Sequence, residues 1–153
     1  GIVLDASHEI DYVRWLLGDK YDAGYVSCYA DTQSDLDIDV EDTADILIGF
    51  YRHERQFTAN IHVDMLQQVP SRWCKVVGSK GNLTWSRDYD GFILHNYNKV
   101  PYTKNDPYLD EMKAFIDCVQ NGPARIDISA FETLRIATIA LKSSQSLELE
   151  VPL

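Results

Sequence analysis

Two long segments with alternating apolar and polar residues, joined by a short polar turn, most constrain how this chain can fold. The first segment runs from Thr43 to Tyr51, and the second, from Gln56 to Leu66, alternates almost perfectly. Because successive side chains of a β-strand point to opposite faces, each segment predicts a strand with one apolar face. The polar residues 52–55 between them predict a hairpin turn, and the pair predicts an antiparallel sheet.

Shorter strand-like segments elsewhere in the chain extend this sheet. They are residues 24–30, 73–77, 83–85, 91–95, 98–102 and, near the end of the chain, 147–151. Grouped strands with segregated helices predict an α+β fold, in which an open, mostly antiparallel (mixed) β-sheet carries helices packed on one face.

Two helices are predicted in the last third of the chain. Pro107 follows the capping residue Asp106 and begins the first helix, which residues 121–123 (Asn-Gly-Pro) end. Asp127 or Ser129 caps the second helix. Its apolar residues are expected to be buried nearly all round: Phe131, Leu134, Ile136, Ala137 and Leu141.

The predicted sheet carries more large apolar residues than a small helical layer is expected to cover. These residues are Ile46, Ile48, Phe57, Ile61, Trp73 and Trp85. An apolar sheet face is unfavourable in water, so we expect the second face to be available for oligomerisation, packing on another subunit or domain.

The start of the chain concentrates its proton-transfer groups. Residues 2–4 (Ile-Val-Leu) predict the end of a buried strand, and Asp5 or Ser7 can cap a helix that begins near His8. On that helix His8 and Asp11 share one face. A histidine flanked by carboxylates is suited to general acid–base catalysis. The alternative is that Asp5 is only a cap, His8 only a surface residue and Asp11 only a partner for Arg14.

A second group of candidate site residues follows the long strands. His62 and Asp64 lie on the polar face of the second strand, which either faces solvent or lines a polar cleft. Arg72 follows a break in the strand pattern, and a guanidinium can bind a substrate carboxylate through two hydrogen bonds. His62, Asp64 and Arg72 are therefore secondary candidates for substrate binding.

Charge and motifs exclude several classes of function. The net charge of −10 at pH 7 argues against nucleic acid and anionic membranes as partners, and no apolar stretch is long enough to span a membrane. None of the eight glycines belongs to a G-x-G-x-x-G motif or a phosphate-binding loop. Asp35, Asp37 and Asp39 resemble the start of a calcium loop, but Val40 and Ile46 occupy its essential Gly and Glu positions.

Cysteine usage and the first residue add two expectations. The three cysteines, Cys28, Cys74 and Cys118, are far apart, which predicts buried, reduced thiols in a cytoplasmic protein rather than disulfides or a zinc site. The chain starts without Met inside a strand-like run, which predicts an excised domain whose upstream portion is absent.

The segment Gly1 to Gly18 resembles the start of the C-terminal domain in the glucose–fructose oxidoreductase / inositol dehydrogenase / MocA family. Similar segments follow in the same order at residues 41–50 (EDTADILIGF), 76–85 (VVGSKGNLTW) and 130–143, so the resemblance covers essentially the whole chain. It implies an NAD(P)-dependent oxidoreductase of sugars, cyclitols or related compounds. Residues 1–153 would form a single C-terminal substrate-binding and oligomerisation domain, and the N-terminal Rossmann domain would be absent.

The resemblance also implies roles for residues at the start of the chain. His8 matches the family histidine that exchanges the substrate hydroxyl proton, Asp5 matches the aspartate upstream, and Asp11 matches the substrate-contacting aspartate one turn later. Asp5 precedes His8 by three positions, whereas in many members the aspartate precedes the histidine by four. NAD or NADP would bind mainly to the missing domain, with none expected on this chain alone.

The resemblance further implies a homo-oligomer, dimer or tetramer, formed through the sheet face. Two alternatives remain open from the sequence. One is an interaction module that kept the fold and lost catalysis. The other is a metal-dependent lyase or isomerase with Asp5, His8 and Asp11 as metal ligands, although no metal site is predicted.

Overall fold

The computed structural model describes residues 1–18, 21–122, 130–146 and 151–152. In chain order the elements are α1 (Ile2–Asp5), α2 (Ser7–Leu17), β1 (Asp22–Asp31), β2 (Thr43–Arg52), β3 (Arg55–Asp64), β4 (Trp73–Gly78), β5 (Gly81–Ser86), β6 (Phe92–His95), β7 (Asn98–Pro101), α3 (Pro107–Asn121), α4 (Ala130–Ser146) and β8 (Val151–Pro152). They divide between a first compact unit, Gly1–Leu66 with Ile126–Leu153, and a second, Gln67–Arg125.

The first unit contains a four-stranded antiparallel sheet, the first sheet, in the order β3-β2-β1-β8. The predicted hairpin is confirmed, with Arg52 paired to Arg55 and His53 in the turn at a φ of 52°. Val151 pairs with Val26 at the opposite edge. The other residues of the predicted last strand, 147–150, lie outside the described part of the chain.

One face of the first sheet forms the core with α1, α2 and α4. The principal buried residues are Val3, Ile10, Val26, Ile46, Ile48, Phe50, Ile61, Val63, Ile136, Ala137 and Ala140. Strand alternation therefore directs the apolar residues of β2 and β3 toward the helices. The expectation that Ile46, Ile48 and Ile61 would need a second covered face is wrong, since this chain buries all three, and Phe57 packs partly buried against the same core.

Residues 2–4 form the helical turn α1, and the predicted strand end is wrong. The backbone N–H groups of Ile2 and Val3 donate to the main-chain oxygen of Glu41 (3.0 Å) and to its Oε1 (3.3 Å). Because Glu41 satisfies these first-turn donors, tertiary contact outweighs the strand preference of an Ile-Val pair. Asp5 ends α1 instead of capping α2, whose N-cap is Ala6 and has no side-chain cap.

Only one stripe of α4 is buried, so the expectation of burial nearly all round is wrong. Ile136 is fully buried, whereas Phe131 is 84% exposed and Leu134 is 48% exposed. A helix that packs on one sheet face buries a single stripe, and the remaining apolar residues point away from it. The predicted caps Asp127 and Ser129 lie outside the described residues.

The second unit contains a separate antiparallel meander in the order β4-β5-β6-β7. The predicted tight turn pairs Gly78 with Gly81. The start of α3 is also confirmed, because the Asp106 side chain accepts from the N–H groups of Tyr108 and Leu109 at 3.1 and 3.2 Å. None of residues 67–122 is buried. The α+β class is confirmed, with the strands divided between two open sheets.

Candidate functional site

The first candidate cluster, the helix-side cluster, consists of Asp5, His8, Glu9 and Asp11 on α1 and α2. The His8 side chain is 58% exposed, and its Nε2 lies 3.1 Å from Oε1 of Glu9, whose side chain is only 12% exposed. Glu9 could not be predicted as a partner of His8, because adjacent helical residues do not normally face each other. The structure therefore gives His8 a carboxylate partner that combines close contact with substantial burial.

Asp5 and Asp11 differ in how the structure holds them. Asp5 is exposed at the end of α1, and Ala6 (φ −97°, ψ 21°) separates it from the helix that carries His8. Asp11 is partly buried, and its Oδ1 accepts a hydrogen bond of 2.8 Å from Thr133 Oγ1 on α4. Asp11 is thus fixed by the core of the first unit, whereas Asp5 lies at its surface.

Thr133 links α2 to α4 and was not identified from the sequence. Its side chain also accepts a hydrogen bond of 2.9 Å from Arg14 Nη1, and the residue is only 5% exposed. Thr133 lies 122 residues from Asp11 in the chain, and nothing in the local sequence pattern connects the two. The fold alone places Arg14, Thr133 and Asp11 in one hydrogen-bonded series.

The second candidate cluster, the outer-face cluster, consists of Asp45, His62 and Asp64 on β2 and β3. His62 Nδ1 lies 2.8 Å from Asp45 Oδ1, and its Nε2 lies 3.3 Å from Asp64 Oδ2. The hydrogen bond to Asp45 is the main reason that the pKa of His62 is raised, and the charges of Asp45 and Asp64 act in the same direction. Asp45 could not be predicted as a site residue, because only the pairing of β2 with β3 brings it opposite His62.

The two clusters do not converge on one site. Ile61 and Val63 of β3 enter the core beneath the helices, so His62 between them points to the opposite face of the sheet. His8 belongs to the helices that cover the first face. Arg72 is exposed in the second unit, just before β4, where its carbonyl oxygen accepts from the N–H of Arg87 at 2.9 Å.

The acidic segment between β1 and β2 is organised by Asp42. This fully buried carboxylate accepts from the N–H groups of Gln33 and Ser34, both at 2.9 Å. The Ser34 hydroxyl also donates to it at 2.5 Å and is the main cause that lowers the pKa of Asp42 to about 2. Asp42 therefore acts as an internal anchor for its loop.

The described residues can be assessed for a metal-binding group and for a membrane-spanning helix. Among these residues, no group of three or more His, Cys, Asp and Glu side chains is arranged to hold a metal ion. None of the helices in the described part of the chain is long and apolar enough to cross a membrane.

The family model for the GFO/IDH/MocA C-terminal domain matches residues 1–84. Among solved structures, an oxidoreductase from Thermotoga maritima matches at a TM-score of 0.74 and 18% identity. The match covers 95% of this chain and 42% of the Thermotoga protein. The WlbA dehydrogenase of Bordetella pertussis, solved with NADH and UDP-GlcNAcA, matches at a TM-score of 0.69 and 19% identity. This match covers 97% of this chain and 46% of the dehydrogenase. An oxidoreductase from Sinorhizobium meliloti matches at 0.68 and 13% identity, covering 95% and 50%.

These structural matches establish the fold of the chain. The chain spans between 42% and 50% of the length of the three proteins. No curated protein matches the sequence.

Proposed function

The chain belongs to the GFO/IDH/MocA C-terminal domain family, and we propose that it is the substrate-binding and oligomerisation domain of an NAD(P)-dependent oxidoreductase. The substrate class is a sugar, a cyclitol or a sugar derivative. Two findings support this proposal: the family match over residues 1–84, and the structural similarity to a dehydrogenase solved with NADH and a nucleotide sugar.

The observation that carries the proposal is the arrangement of His8, Glu9 and Asp11 on α2. An exposed imidazole contacts a largely buried carboxylate, and a second carboxylate, held by Thr133, lies one helical turn away. A general base needs an accessible nitrogen and a partner that stabilises the imidazolium. His8 and Glu9 provide these two features, and Asp11 provides an acceptor for a substrate hydroxyl.

In the proposed reaction an alcohol carbon is oxidised to a carbonyl. His8 takes the proton of the substrate hydroxyl, and NAD(P) held by another part of the whole protein would accept the hydrogen of the carbinol carbon as hydride with its electron pair. Glu9 stabilises the resulting imidazolium, and Asp11 orients the substrate. Asp5, exposed at the end of α1, is assigned a supporting role. His62 and Asp64 lie on the opposite face of the first sheet from His8, so they are assigned no role in this step.

The dinucleotide is assigned to another part of the whole protein. The glycines of this chain do not form the Gly-rich turn that a dinucleotide pyrophosphate requires, so the residues present do not fit the cofactor. The partial coverage of the similar oxidoreductases supports a separate N-terminal Rossmann domain.

The described cysteines are free, which supports a cytoplasmic protein.

The outer face of the first sheet is the proposed surface for homo-oligomer formation, as a dimer or tetramer. It carries Tyr29, which is 57% exposed, next to the outer-face cluster of Asp45, His62 and Asp64. Tyrosine is enriched at protein–protein interfaces because its ring is apolar and its hydroxyl finds polar partners. No helix of the core cluster covers this face in the described chain.

A substrate screen with the full-length protein tests the proposal. The protein is incubated with NAD or NADP and a panel of free sugars, cyclitols and nucleotide sugars, and formation of reduced nicotinamide is followed. We expect turnover with at least one panel member. In parallel, residues 1–153 alone should not bind NADH in a calorimetric titration. Absence of turnover with every member, with cofactor binding retained, would favour a non-catalytic interaction module.

A further inference from the structure

We propose that Thr133 is a positioning residue that fixes one oxygen of Asp11, so that the other oxygen is presented to a hydroxyl group of the substrate. This inference rests on the proposed function, in which Asp11 contacts the substrate. It adds a residue of the last helix, α4, to a site otherwise built from the first residues of the chain.

The direction of each hydrogen bond around Thr133 follows from the chemistry of its neighbours. A guanidinium has only donors, so Arg14 Nη1 must donate to Thr133 Oγ1 across the 2.9 Å contact. The single hydroxyl proton of Thr133 is then directed to Asp11 Oδ1, 2.8 Å away. Because an ionised carboxylate only accepts, the series from Arg14 through Thr133 to Asp11 has one consistent arrangement.

The Thr133 hydroxyl lies between Arg14 and Asp11, and this arrangement leaves one oxygen of the Asp11 carboxylate available. A direct pair between Arg14 and Asp11 would favour a fork that occupies both carboxylate oxygens. Instead, Thr133 uses only Oδ1, and within residues 1–18, 21–122, 130–146 and 151–152 no hydrogen bond to Asp11 Oδ2 is found. Oδ2 can therefore accept from a ligand, and the ligand group must be a donor such as a sugar or cyclitol hydroxyl.

The position of Thr133 in the fold makes this arrangement stiff. Thr133 is 5% exposed, and Ile136 and Ala137 on the next turn of α4 are fully buried in the core. A hydroxyl held by a packed helix has little freedom, and it transmits that restriction to the carboxylate it contacts. Asp11 is thereby oriented by the core rather than by its own helix alone.

Steady-state kinetics of the full-length enzyme test the inference, with the panel member of highest kcat/KM as substrate. Thr133→Val keeps the side-chain shape and removes the hydroxyl, so KM for that substrate should rise about tenfold. The KM for the nicotinamide cofactor should change little, whereas the melting temperature should fall because Arg14 and Asp11 lose their shared partner. Thr133→Ser should restore both the substrate KM and the melting temperature. Thr138→Val is the matched control, because Thr138 is exposed on the same helix and its hydroxyl donates only to Leu134 O at 2.7 Å.

Crystal structures of these variants provide a readout that does not depend on activity. We expect the Asp11 carboxylate to rotate in Thr133→Val and to keep its position in Thr133→Ser. An unmoved carboxylate together with an unchanged substrate KM in Thr133→Val would overturn the inference. If Thr133→Val does not fold, Thr133→Ala replaces it, because it also removes the hydroxyl that donates to Asp11; there an unmoved carboxylate with an unchanged substrate KM would overturn the inference equally.

The Asp11→Asn variant separates failure of the inference from failure of the proposed function. If Asp11→Asn leaves substrate KM unchanged while Thr133→Val displaces the carboxylate, Thr133 positions Asp11 but the assigned substrate contact is wrong. If Asp11→Asn raises KM and Thr133→Val does not, the substrate contact stands and the positioning role is overturned.

Discussion

The two faces of the first sheet each lie beside a histidine paired with carboxylates, but they support these histidines in different ways. On the inner face, Ile46 and Ile61 pack beneath the helices that carry His8. On the outer face, Asp45 and Asp64 contact His62 directly, at the edge strand β3. A histidine beside carboxylates is thus not by itself an active site. The helix or strand that carries the histidine, and the surface toward which its ring points, decide what the side chain can do.

The largest difference between the faces is expected in stability. Ile48 is fully buried on the inner face, and Ile48→Ala should lower the free energy of unfolding by about 2–5 kcal/mol. Leu47→Ala on the outer face is the matched control and should cost about 1 kcal/mol. Urea denaturation measures both, with an unchanged m-value as the sign of an intact fold. Equal losses would contradict the assignment of the core to one face.

Strand alternation in the sequence predicted which residues of the first sheet face the core. The sequence did not predict how the helices begin and pack on that sheet. The hairpin of β2 and β3 and the polar face of β3 could be predicted because a period of two fixes side-chain direction. The turn at Ile2–Asp5 could not, since its first N–H groups are satisfied by Glu41, far along the chain. Local preference cannot anticipate a partner that only the fold supplies.

The candidate site shows the same limit. His8 and Asp11 were predicted from their spacing on one helix, together with the family resemblance. Glu9 was missed because it violates the usual helical spacing, and Thr133 because it approaches from α4. The outer-face pair of Asp45 and His62 depends on strand register, which a single strand does not reveal.

A smaller difference between the faces is expected in pH dependence. The pKa of His62 is raised, chiefly by its hydrogen bond to Asp45. The folded state therefore favours the protonated imidazole, and this contribution is fully present below the ordinary pKa and is lost as pH rises through the raised value. Because His62 and its main partner Asp45 are exposed, the effect on the free energy of unfolding is expected to be small.

An NMR titration of His62 measures this effect directly. Asp45→Asn should bring the His62 pKa down toward its ordinary value, and Asp64→Asn should do so to a lesser extent, because Asp45 makes the larger contribution. A larger shift with Asp64→Asn would reverse that ranking. No change with either variant would show that the cluster does not form.

Parallel measurement of kcat for His8→Ala and His62→Ala in the full-length enzyme shows which of the two histidines takes the substrate proton. The substrate is again the best panel member, and cofactor affinity is measured for each variant. We expect a loss of about a hundredfold or more for His8→Ala with cofactor affinity unchanged, and a change within about twofold for His62→Ala. A His8→Ala enzyme with near-normal kcat, or a loss of that size confined to His62→Ala, would contradict this expectation.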